Sequence, residues 1–141
     1  MTEPQPRDRT YLGHMLGAIA RIRQYVGRTR RAGFLRNALL QDAVIRNIEI
    51  IGEAAGGVSG EFAAANPGIP WREIVGMRHR LIHGYLEVNL DTVWEVVERD
   101  LPALEANLRA LVALPATPPA GKRAAPRRTR TPKRTKHPHK R

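Results

Sequence analysis

An all-α bundle followed by a disordered basic tail is the architecture this sequence predicts, and three observations carry it. Apolar residues recur with a helical period in four stretches between residues 8 and 112. No stretch alternates in the way a half-buried strand does. The formal charge of +11 is almost entirely a property of the last segment: residues 1–114 carry 14 Lys and Arg against 13 Asp and Glu, whereas residues 115–141 carry ten cations and no acid. That segment, PATPPAGKRAAPRRTRTPKRTKHPHKR, holds six of the eleven prolines and almost nothing large and apolar, so it cannot offset the entropy of folding. Two units are expected, a helical domain over 1–114 and a disordered Lys/Arg/Pro-rich tail over 115–141.

The body is nearly neutral and long enough to bury roughly two thirds of its unfolded surface in one core. With 42% hydrophobic residues and no cysteine in 141 positions, a disulfide scaffold and a cysteine zinc site are excluded. No apolar run reaches the length of a membrane span, and the opening MTEPQPRDRT has neither a signal-peptide core nor the pattern of a transit peptide. A soluble, cytoplasmic chain with no membrane partner is the expectation.

The first helix is predicted from about Asp8 to Val26, where Tyr11, Leu12, Met15, Leu16, Ile19, Ile22 and Val26 share one arc and Arg21, Gln24 and Arg28 fall mostly elsewhere. The second runs from about Arg36 to Val58. Its wide arc through Leu39, Leu40, Ala43, Val44, Ile48, Ile50, Ile51, Ala54 and Ala55 suggests contacts on two sides, opposed by a polar stripe of Asp42, Arg46, Glu49 and Glu53. Gly56, Gly57 and Gly60 end it, and Asn66-Pro67-Gly68 with Pro70 makes a turn into the next helix. The third is expected from about Pro70 to His83. The fourth spans about Leu90 to Val112, with Leu90, Val93, Trp94, Val97, Leu101, Leu104, Leu108 and Leu111 in phase across Pro102, so one kinked helix is expected rather than two.

The third helix contains the anomaly. If it is regular, Arg78 falls in the middle of an arc formed by Ile74, Val75, Leu81, Ile82 and Tyr85, where a guanidinium is costly unless paired or facing a wet cleft. Either it pairs with a buried carboxylate, or it is a cation set in a groove to meet phosphate with its planar fork of donors. His83 follows five positions later, about 140° away on an ideal helix. The two meet only if Gly84 frays the last turn or if one subunit's arginine faces the other's histidine across a dimer. His79 and His83 have the i, i+4 spacing of two zinc ligands, but no Glu follows His79 and no third ligand can be named, so no metal is assigned. Asn47, within the second helix's arc, reads first as a hydrogen-bonded core or interface amide and second as an accessory group. Arg46 can pair with Asp42 and Glu49 on a solvated face, and Glu53 is a candidate to approach the cleft.

RHRLIHGY, from Arg78 to Tyr85, resembles the R-x4-H-x-Y signature of HEPN-domain toxins of the HepT type, which are encoded beside a minimal nucleotidyltransferase antitoxin of the MntA type. DAVIRNIEIIGEAA (Asp42 to Ala55), IPW (Ile69 to Trp71), GMRHRLIHGY (Gly76 to Tyr85) and VNLDTVWEVVERDLPAL (Val88 to Leu104) are similar to the family's blocks, in the family's order. The likeness covers about residues 8–112. It implies a four-to-five-helix HEPN-like bundle, a homodimer that brings two motifs into one cleft, and endoribonuclease activity without a metal or other cofactor. It assigns Arg78 and His83 to catalysis and Tyr85 to modification with AMP by the partner. One position departs from the pattern: where Asn or another small polar residue usually follows the arginine, this chain has His79.

Metal-free RNA cleavage needs a base for the 2′-hydroxyl proton, an acid for the leaving 5′-oxygen and a cation for the charge that builds on phosphorus. The unperturbed imidazole pKa, about 6.5, lies near working pH, which suits His83 to the proton transfers. Arg78 would stabilise the developing charge. A second histidine would come from the dimer, or His79 would serve as a second shuttle. A nucleotide on Tyr85 would add bulk and negative charge beside the motif; equally, Tyr85 packs the helix end. The tail's composition suits nonspecific contact with nucleic-acid phosphates. The competing reading of the whole is a noncatalytic module that holds a nucleotide or RNA, or docks the nucleotidyltransferase.

Overall fold

The computed structural model describes residues 3–81 and 87–114, and these form an all-α bundle with no β-strand among them. Helix α1 runs from Pro6 to Val26, with proline in its first turn, where a missing N–H costs nothing, and stops at Gly27, whose φ of +51° an L side chain rarely adopts. Of the predicted face, Leu12, Met15, Ile19, Ile22 and Val26 are buried and Tyr11 and Leu16 are half-buried, with Ala18 buried beside them.

A short helix absent from the sequence reading, α2 (Arg31–Leu35), follows and is anchored by Phe34, which is fully buried with its ring 5.2 Å from that of Trp94. Helix α3 (Ala38–Gly57) starts where the Asn37 side chain accepts a hydrogen bond from the Leu40 amide at 3.0 Å. The pair α1 and α3 is antiparallel, since Tyr11 meets Gly57 and Arg21 meets Asn47. A Cβ on Gly57 would stand 2.5–2.8 Å from the Tyr11 ring, so glycine is what allows this approach.

A second unforeseen helix, α4 (Gly60–Ala65), is capped by Ser59 and inserts Phe62 against Trp71. Ser59 also binds buried Asp8, which accepts from its amide at 2.7 Å and from its hydroxyl at 2.8 Å. The expected third helix is two: α5 (Trp71–Val75) and α6 (Met77–Leu81), divided at Gly76. The fourth is one continuous rod, as its unbroken phase predicts. Helix α7 (Leu90–Glu95) passes through a π-helical turn (Val96–Asp100) into α8 (Leu101–Val112) with helical backbone angles throughout. The wide turn ends two residues before Pro102, which lacks the N–H that a regular ladder requires. It also explains why Val96 is fully buried while Val97, which regular spacing places inside, is half-buried.

Two further apolar assignments are corrected. Leu39 is 82% exposed in the first turn of α3, and Val75 is 47% exposed because it precedes the break at Gly76. Arg9 holds the end of the rod, donating to the Val112 carbonyl at 2.7 Å and the Leu114 carbonyl at 2.6 Å. Glu105, almost fully buried, binds Arg109 at 3.0 Å and Arg23 at 2.6 Å. No helix among the described residues is long and apolar enough to cross a membrane. The tail, 115–141, lies outside the described residues.

Candidate active site

The groove that contains Arg78 is built by glycines on α3 and the break between α5 and α6. A Cβ on Gly52 would stand 3.2 Å from the Ile74 carbonyl oxygen, so α5 rests directly on the α3 backbone there. Gly76 ends α5 by donating to the Arg72 carbonyl at 2.9 Å, and its own carbonyl then accepts from the His79 and Arg80 amides. The new helix buries Met77 and Leu81, which are spaced i, i+4, and therefore turns Arg78, His79 and Arg80 outward.

This overturns the placement of Arg78 within an apolar arc, which assumed an unbroken helix. Arg78 is exposed and has no ion-pair partner among the described residues, so it is not the structural arginine tied to a buried carboxylate. It lines a groove of about 230 Å3 with Ile48, Glu49, Gly52, Glu53, Gly56 and Val75. The candidate Glu53 does reach that groove. Sequence reasoning assigned Glu49 only to a solvated stripe and Gly56 only to a helix end; the i, i+4 spacing of Gly52 and Gly56 was the available signal of a shallow floor.

The two carboxylates are partly neutralised. Arg46 lies 3.6 Å from Glu49 and 4.0 Å from Glu53, bridging them along α3. Arg80 points to the opposite side of α6, where it donates to Asp100 at 3.2 Å beside the π-helical turn. His79 is exposed and is not among the groove's lining residues. Asn47 is not brought to the groove either. It is buried at the seam of α1 and α3, accepting from Arg21 Nε at 2.8 Å and donating to the Ala43 carbonyl at 2.8 Å. His83 and Tyr85 lie outside the described residues, as does Gly84. The hydrogen bond from the Asn89 amide to the Leu81 carbonyl, at 2.9 Å, joins the chain on either side of them.

In chemical terms the groove offers a guanidinium with its donors uncommitted, set beside carboxylates held by another arginine. A planar cation of this kind suits a phosphate. A family model described as ribonuclease HepT-like matches residues 15–111, which include α3, the groove and most of the rod. The chain belongs to the HepT-like ribonuclease family. Curated relatives agree in extent. A Caldanaerobacter subterraneus subsp. tengcongensis protein named as a candidate RNase is 35% identical over 112 residues, which is 79% of this chain and 96% of that protein. A Thermococcus cleftensis protein named "Probable ribonuclease HepT" is 38% identical over 101 residues, covering 72% of this chain and 92% of its own. A Methanocaldococcus jannaschii protein named as a gamma-glutamylcyclotransferase and candidate RNase is 43% identical over 98 residues. Those residues are 70% of this HepT-like chain but 44% of the longer relative, so this chain spans less than half of that protein. No solved structure gave a significant match.

Proposed function

We propose that this HepT-like chain is a metal-independent endoribonuclease, the toxin of a cytoplasmic toxin-antitoxin pair, acting as a homodimer. The observation that carries the reading is Arg78, exposed and without an ion-pair partner among the described residues, at the first position of the R-x4-H-x-Y motif and in a groove of a ribonuclease-family fold. His83 is the second position of that motif, five residues after Arg78 in the sequence.

In this mechanism one histidine takes the proton of the 2′-hydroxyl and the 2′-oxygen bonds to phosphorus. The bond to the 5′-oxygen breaks, and that oxygen leaves with a proton from a second acid. His83 supplies one function, and the partner protomer's motif or His79 supplies the other. Arg78 stabilises the charge on phosphorus, an effect worth about 10²–10³-fold for a preorganised donor. Glu53 is an accessory group that orients Arg78 or the attacking hydroxyl. An MntA-type nucleotidyltransferase silences the enzyme by transferring AMP from ATP to the Tyr85 hydroxyl, which gives up its proton as pyrophosphate leaves, and the added negative charge competes with substrate phosphate for Arg78.

One observation favours a second reading, the noncatalytic module in its form that docks the nucleotidyltransferase: the Glu49 and Glu53 carboxylates stand in the groove with Arg78 and weaken its hold on an anion. A single experiment separates the two. Purified protein incubated with total RNA in EDTA is expected to cut it, with at least a hundredfold loss in both His83→Ala and Arg78→Ala and after treatment with the partner and ATP. Cleavage that is absent, that EDTA abolishes, or that survives both substitutions overturns the proposal.

A further inference from the structure

The charge of the body is segregated in a way that the active-site reading does not use. Residues 9–41 carry seven arginines and no carboxylate, although the body as a whole is nearly neutral. Four of the seven have structural partners. Arg9 holds the Val112 and Leu114 carbonyls, Arg21 binds Asn47, Arg23 binds Glu105 and Arg31 binds Asp91. The remaining three, Arg28, Arg30 and Arg36, are exposed and have no ion-pair partner among the described residues.

These three are also neighbours. Arg30 and Arg36 flank the five-residue helix α2, so their Cα atoms lie about 9 Å apart, and Arg28 sits in the preceding turn. Tyr25, three positions earlier in the last turn of α1, is 46% exposed. We propose that this corner, where α1 turns into α2, binds the phosphodiester backbone of single-stranded nucleic acid. Three guanidiniums supply phosphate forks, and the Tyr25 ring supplies a face on which an unstacked base can lie.

A polyanion fits better than an acidic protein surface for two reasons. Asp91, which pairs with Arg31, and Glu98, which shares a pocket with Gly27, are the carboxylates that the described contacts bring to this corner, and neither pairs with Arg28, Arg30 or Arg36, whose like charges favour a counter-charge from outside. The ten further cations of residues 115–141 follow Leu114, at the opposite end of α1 from the corner, about 30 Å away by the length of that helix. A second basic segment without acid in the sequence suits a long polyanion better than one acidic patch. That the strand is RNA rests on the ribonuclease reading; the surface itself does not.

The test uses the full chain and fluorescent 20-mers that cannot be cut by attack of a 2′-hydroxyl, 2′-O-methyl oligo(U) and oligo(dT), titrated across salt concentrations. Replacing Arg28, Arg30 and Arg36 together by Gln should weaken binding at least tenfold at low salt. It should also make the log-log salt slope shallower by about 2, since each phosphate contact to a single strand contributes about 0.7. Replacing the same three by Lys keeps the charge and should keep the slope. The triple Arg7→Gln, Arg72→Gln, Arg99→Gln removes equal charge elsewhere and should leave the slope near that of the parent. Loss with 2′-O-methyl oligo(U) alone assigns the corner to RNA, and loss with both probes assigns it to either polynucleotide. An unchanged slope in the corner variant, an equal loss in the control triple, or a corner variant that loses only its capture of a polyglutamate peptide overturns the inference. Because neither probe is cleaved, a chain with no ribonuclease activity still passes or fails here.

Discussion

Replacing Asp8 by Ala tests how the two ends of the sequence-distant scaffold are joined. The carboxylate is 2% exposed and accepts two hydrogen bonds from Ser59, fifty-one positions away, at 2.7 and 2.8 Å. Hydrogen bonds to a charged group are worth about 1.5 kcal/mol or more each, and here the amide of Ser59 would lose its acceptor on removal. Asp8→Ala should therefore cost about 3 kcal/mol, which for a body of this size is a fall of about 12 °C in Tm. Asp8→Asn keeps an acceptor for the amide and can donate to the hydroxyl, so about 1 kcal/mol is expected. Ser59→Ala loses one of these bonds and the cap of α4, about 1–2 kcal/mol. Urea unfolding of both single variants and the double should give a coupling of about 1 kcal/mol or more. A cost below about 0.5 kcal/mol for Asp8→Ala, or strict additivity with Ser59→Ala, would refute the argument that this link fastens α4 to α1.

Gly52→Ala should change stability by no more than about 1 kcal/mol, because the gain in helix propensity opposes the push on the Ile74 carbonyl. It should lower the RNA-cleavage rate about three- to tenfold as α5 and Arg78 shift by a few tenths of an ångström; an unchanged rate would show that Gly52 does not set the approach of Arg78. Asn47→Asp places an oxygen where Nδ2 now donates to the Ala43 carbonyl, so thermal melting should show a loss of about 1 kcal/mol despite the retained contact with Arg21. Cleavage per folded molecule should be unaffected; a tenfold fall in kcat with unchanged melting would give Asn47 a part in the chemistry.

The long helices were legible because each repeats its apolar face over five or more turns, and that periodicity needs no knowledge of the partner. Helices α2 and α4 were not. Each spans fewer than two turns and contributes one buried aromatic, Phe34 or Phe62, which carries no period at all. The break at Gly76 was hidden for the opposite reason: Ile74, Val75 and Leu81 fit an unbroken arc, although Val75 is half in solvent. That fit drew Arg78 into the apolar face, and the physical cost of burying it was the correct signal that something had to give. The glycine gave. Leu39 shows the converse limit, since an apolar side chain in a first helical turn can remain in water without penalty to the pattern around it. The link from Asp8 to Ser59 and the contact of Arg21 with Asn47 depend on how elements meet, which spacing along one helix does not encode.

The grip of Arg9 on two carbonyls at the end of the rod, Val112 and Leu114, has a practical corollary for handling this molecule. It makes Leu114 the last described position that this fastening uses. A protease site, fluorescent fusion or surface tether placed just after Leu114 should leave the fastening intact, whereas a stop ahead of Val112 strips the guanidinium of both acceptors and unzips the end of the bundle.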